Sequence, residues 1–137
     1  MAIPFPGDAW IKALMAELNV STAYEDAARS WEGDFCFIVE PGGTLEKTVS
    51  LYMDLWHGKC RQAYEISETT DGHKPAFTLS APVATWKRVL NKQLDPVQGM
   101  MTGKLHIKGN MGMIMKNVRA AKELVENCTH IPTEFPV

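Results

Sequence analysis

Cysteine is scarce in this chain: Cys36, Cys60 and Cys128 are spread over 137 positions, with no Cys-x-x-Cys pair. An odd, scattered set argues against a disulfide framework or a structural zinc site, and it suits a reducing cytoplasm. Long apolar runs are missing too. Nothing approaches the roughly 18 consecutive apolar residues of a membrane span. The stretch Met1–Pro6 has no basic segment leading into an apolar one, so no secretory signal is expected. Phe135-Pro136-Val137 is not a Ser-Lys-Leu-type peroxisomal address.

Catalytic signatures are equally thin. There is no Gly-x-Ser-x-Gly nucleophile elbow, no Gly-x-Gly-x-x-Gly and no phosphate loop. The histidines, His57, His73, His106 and His130, include no pair four apart on an expected helix. His57 and Cys60 sit three apart across an expected turn, too few for a metal site. Cys36 lies in an apolar strand, where a thiol is inert. The expectation is a protein without catalytic residues, metal or cofactor, and without a nucleic-acid partner.

Charge is present but uneven. The net charge is −2, yet residues 1–46 carry eight acids against Lys12 and Arg29, and residues 86–122 carry eight bases against Asp95. Such asymmetry can steer an anionic partner toward one face.

Periodicity gives the elements. Asp8 is placed to cap a helix over 8–19 with the stripe Trp10, Ile11, Leu14, Met15, Leu18. Thr22–Glu25 matches a capping box for a second helix over 22–31. Phe35–Val39 reads as a strand covered on both faces. Over 48–56, Val49, Leu51, Met53 and Leu55 alternate with Ser50, Tyr52, Asp54 and Trp56, the pattern of a half-buried strand. His57-Gly58 is a hairpin turn into a partner strand over 60–67. A polar loop over 69–75, a strand over 76–80, a helix over 83–92 and a short helix from Pro96 follow.

Five of the eight methionines fall within Met100–Met115. In that stretch Lys104–Lys108 alternates as a strand bracketed by Gly103 and Gly109. Asn110 then caps one long final helix with the stripe Met111, Ile114, Met115, Val118, Ala121, Val125, Cys128. Residues 129–137 are expected to be an irregular tail. Grouped helices and strands of this kind argue for an α+β domain, a mostly antiparallel sheet of about five strands covered by helices. The expected division is a helical pair over 1–32, a core over 33–128 and the tail.

Leu94-Asp95-Pro96, Met101-Thr102-Gly103-Lys104-Leu105 and Lys108-Gly109-Asn110, with Trp86 in its own helix, resemble the signature of the sterol carrier protein 2 (SCP-2-like) lipid-binding domain. The likeness runs from about Asp34 to Val125. It implies an apolar tunnel between sheet and helices that binds fatty acids, acyl-CoA, phospholipids or sterols and transfers them without chemistry. Met100, Met101, Met111, Met113, Ile114, Met115 and Val118 are then the candidate lining from the helices. Phe35, Phe37, Tyr52, Trp56, Tyr64 and Trp86 are the candidates from the sheet and the Trp-bearing helix. Lys104, Lys108 and Lys116 stand ready for a carboxylate, a CoA phosphate or an anionic membrane surface. The alternative is an interaction module whose Met-rich face docks a partner protein or a second copy of the chain.

Overall fold

The computed structural model describes residues 2–66 and 75–136. The polar loop expected over 69–75, with His73, therefore lies outside the described residues except for Pro75.

Two helices open the structure, α1 (Asp8–Val20) and α2 (Thr22–Ala27), after a short strand β1 (Ile3–Pro4). Three long strands follow, β2 (Glu32–Glu40), β3 (Val49–Trp56) and β4 (Lys59–Glu65). Next come β5 (Phe77–Pro82), α3 (Val83–Leu90), α4 (Pro96–Met101) and β6 (His106–Lys108). The chain closes with α5 (Met111–Lys116), α6 (Val118–Cys128) and β7 (Thr133–Glu134). The main sheet has five strands in the order β4-β3-β2-β5-β6, antiparallel except for the β2–β5 pair.

Local chemistry accounts for most boundaries. His57 and Gly58 both take positive φ, which turns β3 into β4. Asp95 accepts from the Gln98 N–H, and Asn110 accepts from the Met113 N–H, so both act as N-caps. Gly109 has φ +139°, and a Cβ there would lie 2.5 Å from the Phe77 ring, so the turn out of β6 requires glycine.

Four expectations change. Asp8 does not cap α1; Gly7 holds the N-cap, and the Asp8 carboxylate accepts instead from Lys12 and from the Glu65 N–H of the edge strand. The cap of α2 is Ser21, one residue before the capping-box match, and the helix stops at Ala27 rather than at residue 31. The tail is not irregular: Ile3 and Pro4 pair in parallel with Thr133 and Glu134, a ladder joining chain ends that no local pattern could connect.

The final helix is also not continuous. In an unbroken helix the Asn117 N–H would bond the Met113 carbonyl. Here the Asn117 side-chain Nδ2 donates to that carbonyl at 2.8 Å, and the backbone N–H turns to Ile114 O at 2.9 Å. The side chain replaces its own main chain, and the helix breaks into α5 and α6.

Core side chains gather between the sheet and α1, α3 and α6. Ile11, Leu14 and Leu18 of α1 share one buried cluster with Leu51, Met53 and Leu55 of β3, all nearly inaccessible to solvent. This face-on packing of an apolar helix stripe against one sheet face supplies the hydrophobic stabilisation.

Candidate functional site

The helix and sheet layers do not close completely. They leave a cavity of about 110 Å³, walled on the sheet side by Phe35, Phe37 and Val39 of β2, Leu51 and Leu55 of β3, and Leu79 of β5. These residues share one sheet face because strand side chains alternate with a period of two. Helix α1 contributes Trp10, Ile11 and Leu14. Helix α3 adds Trp86 and Val89, and Met100 and Ile114 come from α4 and α5.

Helix α6 runs along the cavity. Asn117, Ala120, Ala121, Leu124 and Cys128 border it at spacings of three and four, one helical face. From Asn117 to Cys128 that face extends roughly 16 Å at 1.5 Å per residue. The alanines in its first turns leave room where larger side chains would fill it.

The chemistry of the wall is nearly pure carbon. Among the described residues, no Lys, Arg, Asp, Glu or His lines the cavity. The three tryptophans that border it have their polar ends tied off. Trp10 Nε1 donates to Thr133 Oγ1 at 2.9 Å, Trp31 Nε1 to Gly33 O at 2.9 Å, and Trp86 Nε1 to Ile38 O at 3.0 Å. Each ring therefore presents carbon inward. Phe35 stacks on Phe37 and on Phe77, and Trp86 meets Phe37 edge-on, so the floor is one contiguous aromatic cluster. Burial pushes the Cys128 thiol up to about 12, which leaves it an uncharged apolar wall atom.

Of the residues singled out from the sequence, Phe35, Phe37, Trp86, Met100 and Ile114 are brought together at this cavity. Tyr52, Trp56 and Tyr64 are not. Strand parity puts them on the opposite sheet face from Leu51 and Leu55. There Tyr52 is paired with Tyr64 across the ladder, with ring centroids 5.0 Å apart. The Tyr52 hydroxyl donates to Asp34 Oδ2 at 2.8 Å. Trp56 lies at the exposed end of β3, under the Arg61 guanidinium and beside the His57 ring. Met111 and Met113 of α5 and Val118 of α6 pack half-buried against the core without bordering the cavity. Met101 and Met115 point outward, 67% and 44% exposed.

The residues that sequence reasoning missed are the α1 wall, Trp31, Leu51 and Leu55, and the inner face of α6. The signals existed: the Trp10-Ile11-Leu14 stripe, and Leu51 and Leu55 on the apolar parity of β3. They read as ordinary core because filled and hollow packing share one pattern.

His57 and Cys60 do not share a site. His57 Nε2 meets Glu32, whereas Cys60 is buried with its thiol on Gln62 O. Among the described residues no three metal-ligating side chains converge, and no helix is long and apolar enough to cross a membrane.

Comparison with known proteins decides the lineage. The model of the SCP-2 sterol transfer family matches residues 11–122. The chain belongs to that family. A crystal structure of sterol carrier protein 2 is 34% identical, with a TM-score of 0.80, over 90% of this chain and 96% of that one. A conserved hypothetical protein of Thermus thermophilus, described as a potential sterol carrier protein, is 34% identical with a TM-score of 0.82, over 92% and 88% of the two chains. Sterol carrier protein 2 of Yarrowia lipolytica in its apo form shares the fold, with a TM-score of 0.57 at 16% identity over 94% and 98%. No curated protein matches the chain significantly. Family membership accounts for the glycine-bracketed strand and the five-stranded α+β fold together.

Proposed function

We propose that this SCP-2 family chain binds the apolar part of a lipid between sheet and α6 and carries or presents it without chemistry. One observation supports this above the others: a cavity runs along one helix face with no charged side chain from the described residues in its wall. Such a wall offers burial of apolar surface, worth about 25 cal/mol per Å², and the two ionisable groups in it, the Tyr24 phenol and the Cys128 thiol, are both held in their neutral forms by burial. The ligand is a fatty acid, acyl-CoA, phospholipid or sterol-like molecule. The cavity of about 110 Å³ is smaller than the roughly 300–1,000 Å³ of common ligand sites. The occupant therefore widens it, and Met100, flexible and half-buried, is suited to move.

Loading takes place at membranes. No ion pair reaches Lys104, Lys108 or Lys116 from the described residues, and Met101 and Met115 are exposed nearby in sequence. Basic and apolar side chains together suit transient contact with an anionic surface. Free, buried cysteines suit a cytoplasmic setting. The same exposed methionines favour a second reading, docking of a partner protein or of another copy.

Native mass spectrometry of the purified protein, followed by lipid extraction, tests the first reading. A stoichiometric lipid adduct is expected. A clean apo mass, with no uptake of an added fluorescent lipid, overturns it. A dimer that buries Met101 and Met115 then carries the second reading.

A further inference from the structure

A second space lies beside the cavity. Where the C-terminal ends of α3 and α6 meet the last strand, a groove of about 320 Å³ opens at the surface. Leu90 and Cys128 line this groove, and the same two side chains border the apolar cavity. Leu90 is half-buried and is the last residue of α3, followed by the Asn91 C-cap and by Lys92 at positive φ. The rest of the groove differs in chemistry from the cavity. Asn91 and Thr129, both exposed, and Thr133 bring an amide and two hydroxyls, and Ile131 and Phe135 bring apolar surface. This wall is tied to that of the cavity. Thr133 Oγ1 accepts from Trp10 Nε1 at 2.9 Å, and Phe135 meets Phe5 with ring centroids 5.7 Å apart; Trp10 and Phe5 both line the cavity.

We infer that this groove holds the head of the bound lipid, and that its chain enters the cavity between Leu90 and Cys128. The inference rests on the lipid-binding reading above and deepens it: the ligand is an amphiphile with an uncharged, hydrogen-bonding head of the glyceryl kind. Volume supports the division. The cavity of about 110 Å³ is short of a common ligand site, whereas cavity and groove together fall within the roughly 300–1,000 Å³ of such sites. Desolvation supports it too. A polar head drawn into the carbon-lined cavity would lose its water and gain no partners. In the groove it stays wetted and meets the Asn91 amide and the Thr129 hydroxyl. Among the described residues no charged side chain lines the groove. Lys92, next to Asn91, is paired with Glu126 at 2.8 Å, and Lys87 sits over the Phe135 ring at 5.6 Å. The groove thus offers hydrogen bonds without a dedicated counter-charge, which suits a neutral head. The chain then runs along the inner face of α6, past Leu124 toward Ala121 and Ala120.

Photo-crosslinking of the full chain tests this with two analogues of 1-hexadecanoylglycerol, one carrying a diazirine on the glyceryl head and the other at the end of the acyl chain. Peptide mapping by mass spectrometry is expected to find the head label on Leu90–Asn91 or Cys128–Phe135, and the chain label on the cavity side of α6 or β2. A head label on Met111–Ala121, or both labels in the groove, overturns the inference. Asn91→Trp fills the groove from an exposed position and is expected to weaken 1-hexadecanoylglycerol about tenfold more than hexadecane, the size of one or two lost hydrogen bonds. Thr129→Trp does the same from the end of α6, which covers the case of one poorly folded variant, and a thermal melt checks both. Undiminished binding of 1-hexadecanoylglycerol by both folded variants overturns the inference. Uptake of a fluorescent fatty acid without uptake of either analogue also overturns it and leaves the lipid-binding reading standing. Failure of all three to bind removes that reading, and this inference with it.

Discussion

Asn19 brackets the peptide at Cys60: its Nδ2 donates to Cys60 O at 2.9 Å, and its Oδ1 accepts from Cys60 N–H at 2.8 Å. The residue closes α1 onto β4, an edge strand of the main sheet. An open strand edge is a template for pairing with other chains. Here its polar groups are occupied by a helix side chain, with Asp8 doing the same at Glu65 N–H at 2.9 Å. Asn19→Ala is expected to cost about 1–3 kcal/mol, because two part-buried backbone groups lose their partners. The urea midpoint should fall, and light scattering should show faster aggregation from the freed edge.

Filling the cavity separates binding from folding. Ala121 is half-buried on the α6 face that borders the void. In Ala121→Leu the added carbons enter existing space, so stability should change by less than about 1.5 kcal/mol. Lipid affinity should drop by about tenfold or more, read by dye displacement beside a thermal melt. Retained affinity would place the ligand elsewhere.

The buried thiols set an alkaline limit. Burial raises both Cys60 and Cys128 from the ordinary 9.0 to about 12, with the nearby Asp54 carboxylate adding to the effect at Cys60. A raised thiol stays protonated in the folded chain after the unfolded chain has lost its proton. The unfolded state therefore binds fewer protons between these values, and folding stability declines as pH rises. The expected slope is about 1.4 kcal/mol per pH unit for each thiol between about pH 9 and 12. Urea unfolding across that range should show the decline, to which the raised Cys36, Tyr24 and Tyr52 also contribute, and Cys128→Ala should make it shallower by about 1.4 kcal/mol per pH unit.

Membrane contact, if it loads the cavity, is electrostatic. Changing Lys104, Lys108 and Lys116 together to glutamine should weaken binding to phosphatidylserine-containing vesicles by on the order of a hundredfold, at about 1 kcal/mol per lysine. Affinity of the unaltered protein should fall with added salt. Vesicle co-sedimentation measures both, and equal binding by the two proteins would locate the contact elsewhere.

Much of the fold was legible in the chain because its signals are local. The alternation over Val49–Trp56, the positive-φ pair His57-Gly58 and the caps at Asp95 and Asn110 each act within a few residues, and each appears in the structure. The misjudged boundaries depended on distant partners. Asp8 was drawn to Glu65 and Lys12, and Thr133 was drawn to Ile3.

Sequence by itself determined the α+β class, the apolar stripes and the glycine-bracketed strand, since periodicity and turn chemistry are properties of neighbouring residues. Only the tertiary structure decided which apolar surfaces meet and which stop short. Leu51 and Tyr52 are adjacent and both buried. Yet one faces the cavity and the other packs on Tyr64 across the opposite sheet face. The break at Asn117 is of the same kind: asparagine is tolerated inside a helix or at its end, and its bond to Met113 is what resolved the choice. A void is the space between layers, and its size depends on how closely α6 approaches the sheet, a distance that no single stretch of residues encodes.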